Sequence, residues 1–381
     1  YLQFAKDVAG IQFMSHQAND VYVTKYDWEY IRKTSKRFNE DKSFLVFLGC
    51  EWTAPRDKGG DHNIYYYNDQ KILHRASKWF EGPFDDWPEA SDPNKLYDQL
   101  KSTKALINLH VGGFTSNLNY HNPGLEKMIE IHSTHGISQW FIEEAFDMGY
   151  MMGITASSDG VSGRPGLEHP GRKQTRNIGN GATAVLAKEL KKPSIWNALS
   201  EKRFYATTGE RILLDFKING KSIDKNIYQN ETRKFLIRVS GTAPIEKVLL
   251  RRKDKIIDKK IFYSDSKDNS TRFRILWSGC KEKGTSRHQK LQWDGSLKTS
   301  NGNLNLRNLI NFYQPTDHIS ILENNNICWK NSTAGNESGF TFDWICNKNT
   351  NLEFISQPHT DSFAYKKVEK GIEIPVDGVE N

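Results

Sequence analysis

The chain has 381 residues, enough for two domains with separate cores. Apolar residues make up 37% and aromatics 12%, which suits a globular fold, and no stretch approaches the roughly 18 uninterrupted apolar residues of a spanning helix. A net charge of +7 is modest for this length and leaves nucleic acid an unlikely partner. The opening "YLQFAKDVAGIQFMSH" has no initiator Met and starts with helix in progress, which predicts a mature or trimmed N-terminus. "IQFMS" reads as a strand, and "KYDWEYIRKTSKRF" spaces Trp28, Ile31 and Phe38 along one side of a helix. "SFLVFLGC" is a strand, "NKLYDQLKS" a helix, "ALINLH" and "KMIEIHS" strands, "SQWFIEEAFDMG" a helix stopped by Gly149, and "MMGITASS" a strand. "KKPSIWNALSEKRFYATTG" supplies a last helix, with Thr207, Thr208 and Gly209 read as its termination. The alternation predicts parallel strands with helical crossovers over residues 1–210.

Beyond residue 210 the rhythm changes to short β-rich runs such as "RILLDFKING", "KFLIRVSG", "TRFRILWSG" and "FTFDWICN", separated by Gly/Asn turns. Residues 211–381 therefore read as a β-rich, sandwich-like domain. The run "RRKDKIIDKK" could attract phosphate or nucleic acid but reads better as a strand edge guarded by lysines. Of four cysteines, Cys50 reads as a buried thiol. Cys328 and Cys346 lie in two strand-like segments around a Gly/Asn-rich loop and could be cross-strand partners. A bridge there would close a loop of about eighteen residues, worth on the order of 3 kcal/mol, and would mark an oxidising compartment.

Ligand-type residues recur where predicted strands end. His16 follows "IQFMS", Glu51 follows "SFLVFLGC", His110 ends "ALINLH", His132 and His135 follow "MIEI", and Asp159 follows "MMGITASS". In a barrel of parallel strands those ends converge on one face. His62 lies eleven positions after Glu51, across the Gly-rich "APRDKGGD", and can reach the same face. Neutral imidazole with carboxylate suits zinc, manganese or iron, and a carboxylate can bridge two ions that activate water.

"FMSHQAND", "GCEWT…GGDHNIYY", "INLH", "IEIHSTHGIS", "ASSDGVSGRPG" and the long run 181–220 resemble the PHP (polymerase and histidinol phosphatase) superfamily. Within it they are most similar to a bacterial branch catalogued as a domain of unknown function, and "WSGC…LQWDGSL" extends the likeness into the second half. The resemblance implies a distorted (β/α)7-type barrel with two or three divalent ions (Zn, Mn or Fe) at its carboxyl face, followed by the β-rich domain. It implies His16, Glu51, His62, His110 and Asp159 as metal ligands, Glu51 bridging. The implied reaction is hydrolysis of a small-molecule or glycan-linked phosphate ester by metal-activated water. Relatives of this branch are typically exported, so the implied location is periplasmic or secreted.

Two positions depart from the family pattern. No H-x-H strand precedes His16, so that strand is expected upstream of Tyr1. Val161 stands where a terminal histidine belongs, a place His169 could take. Two further candidates are Arg164, to hold a phosphate by a bidentate contact, and His135, to bind metal or protonate the leaving oxygen. Other readings stay open. The cluster would serve another ester (sulfate or carboxylate) or an amide equally well. A degenerate, non-catalytic barrel could leave binding to Trp277, Trp293 and Trp329, although those rings read more naturally as sandwich core. Oligomeric state is not legible.

Overall fold

Local capping fixes the main helices of the first half. Thr24 opens one helix with a reciprocal box, its hydroxyl accepting from Asp27 N at 3.0 Å while Thr24 N donates to the Asp27 carboxylate at 3.0 Å. Asp92 caps another, accepting from Lys95 N at 3.1 Å, with Pro93 at the first helical position. The computed structural model describes residues 1–77, 87–168, 180–222, 232–253, 255–262, 271–281, 290–377 and 379. In chain order the first half comprises α1 (Leu2–Asp7), β1 (Phe13–Ser15), α2 (Lys25–Phe38), β2 (Leu45–Trp52), β3 (His62–Tyr66), α3 (Pro93–Leu100) and β4 (Ala105–Leu109). It continues with β5 (Glu126–Ser133), β6 (Gly136–Ile137), α4 (Gln139–Asp147), β7 (Gly153–Ala156), β8 (Ala182–Val185), α5 (Lys192–Ser200) and β9 (Phe204–Thr207).

β1 to β7 form one seven-stranded sheet, in the order β1-β2-β3-β4-β5 with β6 and β7 both paired to β5. β1 with β2, and β4, β5 and β7 among themselves, pair in parallel. β3 is antiparallel to both neighbours. The expected (β/α)7 run of parallel strands is thus replaced by a mixed, partial-barrel sheet with few helices. The reason lies between β2 and β3, where the loop 53–61 is too short for a helical crossover, which takes a dozen residues or more. β1, β2, β4, β5 and β7 still all point the same way, so their carboxyl ends share one end of the sheet. A second correction concerns the last helix. It stops at Ser200, and the chain then forms β9 against β8, so Thr207 ends a strand.

Side chains alternate across this sheet. Leu48, Cys50 and Trp52 of β2, with Ile64 and Tyr66 of β3, pack on its outer face against Trp28 of α2 and Leu96 of α3. Phe47, Tyr65, Leu106 and Met128 take the inner face, where Ile195, Trp196 and Leu199 of α5 close one end. Each such buried side chain contributes about 1.5–3 kcal/mol. No helix among the described residues is long and apolar enough to cross a membrane.

The second half is β-rich, as its turn-punctuated sequence predicts. β10 (Leu213–Ile218), β11 (Lys221–Ser222) and β12 (Phe235–Ser240) make a small sheet. β13 (Lys247–Arg252) and β14 (Lys255–Ile261) make a ribbon whose second strand is exposed throughout. There follow β15 (Arg272–Trp277), β16 (Leu291–Gln292), β17 (Gly295–Thr299), β18 (Asn303–Ile310), β19 (His318–Leu322) and β20 (Asn326–Lys330). β21 (Ser332–Thr333), β22 (Ser338–Ile345), β23 (Asn351–Ser356), β24 (Thr360–Ala364) and α6 (Tyr365–Glu369) complete it. Sheets β15-β22-β18 and β19-β20-β17-β23-β24 enclose a core of Trp277, Trp293, Trp329, Phe340, Phe342 and Trp344. Trp277 stacks on Trp329 at 5.0 Å between ring centroids, so these rings are core and offer no stacking face to a ligand.

The cysteine pairing is corrected here. Cys328 lies on β20, which pairs with β17 and β19, whereas Cys346 directly follows β22 in the other sheet. The two are not on paired strands, and no disulfide joins them.

Candidate metal centre

The common carboxyl end of the parallel strands collects imidazoles and carboxylates. His110 directly follows β4, His135 sits in the two-residue loop between β5 and β6, and Asp159 lies just beyond β7. Their ligand atoms fall within 4.8 Å of one another. His135 Nε2 is 2.8 Å and His110 Nε2 3.5 Å from Asp159 Oδ2. Asp159 is held at φ +38°, a left-handed backbone conformation uncommon for a side-chain-bearing residue.

Partners behind the cluster aim it. Glu130 Oε1 lies 2.7 Å from His110 Nδ1, and Ser157 Oγ donates to Glu130 Oε2 at 2.6 Å. A carboxylate on Nδ1 fixes the imidazole's tautomer and turns Nε2 toward Asp159, as second partners do around metal-bound histidines. Burial alone would lower the His110 pKa, but Glu130 and Asp159 outweigh it and hold the ring well above the usual value. Burial likewise works against Asp159, and His110 and His135 overcome it, keeping its carboxyl well below the usual range.

Glu51 is opposite Asn63 in the β2–β3 register, and Asn63 lines a cavity of about 350 Å³ that also touches His16 and Asp159. Glu51 therefore faces inward and is 6% exposed. Burial, then the neighbouring Asp61 carboxylate, push its pKa well above normal. Asp61, fully buried, is raised to about 6 by burial against the pull of His110. Its Oδ2 accepts from Phe114 N at 2.8 Å, and a Cβ at Gly112 would stand 2.6 Å from that oxygen and 2.7 Å from His110 Nε2. Only glycine lets the backbone pass so close to both. His16 lines the cavity, has its ring edge-on to Tyr1 at 5.1 Å, and is lowered in pKa by burial.

His62 is placed otherwise. Its register partner is Trp52, so it shares the outer face. There its Nε2 lies 3.5 Å from Glu126 Oε1 and its Nδ1 3.1 Å from Gly60 O. It stands at the right end of the sheet on the wrong side for the inner group. Arg164 ties its own loop, with Nε 3.3 Å from Ser162 Oγ and an Nη donating to Glu168 O at 3.2 Å. Val161 is exposed, and His169 lies outside the described residues.

Two residues of the inner group are hard to single out by motif. Asp61 hides next to His62 in "GGDH". Glu130 is a charge at an inward position of the apolar strand "EKMIEIHS", the one signal that could have marked it. The donor set fits divalent ions. His16 Nδ1 and Asp61 Oδ1 are buried and lack a hydrogen-bond partner among the described residues, and Asp159 Oδ2 meets the Nε2 atoms of His135 and His110 at 2.8 and 3.5 Å. Buried polar atoms without partners are costly unless something else satisfies them.

No family model matches the chain. It is 22% identical over 291 residues to an uncharacterized protein of Chlamydia trachomatis serovar D, covering 67% of this chain and 45% of that protein. A counterpart in Chlamydia pneumoniae is 22% identical over 271 residues, covering 63% and 41%. The chain thus spans less than half the length of the curated relatives it matches. Among solved structures it is similar to a two-domain protein from Bacteroides vulgatus containing a predicted PHP-like metal-dependent phosphoesterase. That match covers 95% of this chain and 90% of the other, with 12% identity and a TM-score of 0.37.

Proposed function

We propose that this protein is a metal-dependent hydrolase of the PHP type, acting on a phosphate ester. The observation that carries the reading is the meeting of His110, His135 and Asp159 at one strand end, their ligand atoms within 4.8 Å of one another. His110, His135 and Asp159 would hold one ion, with Glu51, Asp61 and His16 beside them for a second. The nitrogen and oxygen donors suit Zn, Mn or Fe. Bound divalent ions would supply Lewis acidity and lower the pKa of water to near neutrality. Glu130 keeps His110 oriented. Glu51 and Asp61, forced together, supply negative charge that cations relieve. Arg164, in the same turn as the half-buried Ser162, is the proposed anchor for a substrate phosphate.

The donor set activates water without choosing between phosphoryl and acyl groups, so hydrolysis of a sulfate or carboxylate ester or an amide is the second reading. Small-molecule or glycan-linked phosphate esters are the proposed substrates. An exported location rests on the family resemblance alone, since the cysteines lend it no support. The test is metal analysis of purified protein together with turnover of aryl phosphate, sulfate and carboxylate esters. Metal bound with phosphate ester cleaved supports the proposal, and protein that takes up no divalent ion ends it.

A further inference from the structure

One turn of the second half of the chain, Ala334–Gly335, meets the β5–β6 hairpin beside the candidate centre. His135 sits in the β5–β6 loop, closed by pairing of Ser133 with Gly136. Across from it, Ala334 O accepts the Ile137 N–H at 2.9 Å. A Cβ at Gly335, whose φ is +83°, would stand 2.0 Å from Ile137 O, and one at Gly136 would stand 2.4 Å from Ala334 O. Two glycines therefore let two backbones meet next to His135. Behind this turn, Gly335 N donates to Gly279 O at 3.0 Å and Thr333 Oγ1 to the same oxygen at 2.6 Å. Trp293 Nε1 donates to Thr333 Oγ1 at 2.9 Å, which ties the turn to the tryptophan core.

The two histidines of the centre are held differently. His110 is clamped through its ring by Glu130, whereas His135 Nδ1 has no hydrogen-bond partner among the described residues. Apart from the contact of its Nε2 with Asp159, itself one of the ligand group, what aims His135 is the course of its backbone. We infer that the Ala334–Gly335 turn is a positioning element for His135, so that the β-rich half sets the geometry of a metal ligand in the other half. This rests on the reading of His110, His135 and Asp159 as a metal centre. It gives the second half a part in the activity beyond carrying its own core.

Titration of the full chain with Co²⁺, followed by visible absorption and by dissociation constant, tests the inference. Gly335→Ala is expected to weaken Co²⁺ binding at least tenfold and to change the absorption envelope, with near-ultraviolet circular dichroism of the tryptophan core retained. Thr333→Val, which keeps shape and removes two bonds behind the turn, should weaken binding two- to threefold. Gly371→Ala controls for backbone strain, because Gly371 has φ +79° and nothing within 4 Å of its Cβ position, and it should bind like wild type. Unaltered affinity and spectrum in Gly335→Ala overturn the inference and leave the metal reading standing. If Gly335→Ala does not fold, Thr333→Val decides alone, and wild-type binding there overturns it. Wild-type protein that binds no Co²⁺ removes the metal reading itself.

Discussion

The two faces of the first sheet each carry buried histidines beside buried carboxylates, yet the groups behave in opposite ways. On the inner face Glu51 is pushed well above the carboxylate range by burial and by Asp61. On the outer face Glu126 is equally buried, but His121 Nδ1 at 2.7 Å, Asn122 N at 3.1 Å, the Tyr97 hydroxyl and His62 surround it, and its pKa falls below normal despite burial. A carboxylate whose oxygens already receive donors is a structural anchor. One crowded by another acid, with imidazoles nearby, is what the proposed cation site calls for.

The largest expected effect breaks this comparison on the inner side. Glu51→Gln and Asp159→Asn should each lower metal content and aryl phosphate turnover by about a hundredfold or more, since each removes charge from the proposed ligand group. Folding should survive in both. Full metal occupancy with wild-type turnover in Glu51→Gln would remove Glu51 from the site.

On the outer side the next effect is acid sensitivity. Burial lowers His74 to about 4, with its Nδ1 2.7 Å from the Tyr66 hydroxyl. The folded ring is neutral between pH 6.5 and 4 while the unfolded one takes up a proton, so the unfolded state binds more. Stability present above pH 6.5 should therefore be lost as pH falls toward 4, by at most about 3 kcal/mol. Urea unfolding at pH 7 and pH 4.5 measures it, and His74→Gln should flatten the dependence.

Glu126→Gln should cost about 1–3 kcal/mol by leaving a buried donor mismatched, with metal per folded chain unchanged. His62→Ala belongs to the same test. Earlier melting with metal retained fits its outer position, whereas lost metal would move it to the inner group. The smallest effect lies at the edge. Arg251 and Lys253 of the exposed ribbon pair with Glu143 and Asp147 of α4 at 3.2 and 3.0 Å, and replacing either by Ala should change stability by less than about 1 kcal/mol, less still in high salt.

Periodicity by itself determined much of the element map. The helix over 25–38 and the existence of β2, β4, β5 and β7 were legible because apolar spacing and capping act within a few residues, although β2 runs on past Cys50 to include Glu51 and Trp52. So was the convergence of His110, His135 and Asp159, since each follows a strand of common direction. The side of the sheet was not legible. Glu51 and His62 look like a pair in sequence, but the short loop after β2 reverses the chain, and antiparallel pairing sets His62 opposite Trp52 and Asn63 opposite Glu51. Glu126 and Glu130, four apart, would share a face in an unbroken strand. A shift in the β4–β5 register places Glu126 beside Ile107 and Met128 beside Asn108, so the two acids part. The same limit explains Cys328 and Cys346, whose spacing suited a hairpin that other strands occupy. Register and sidedness depend on which distant strands pair, and only the tertiary structure decides that.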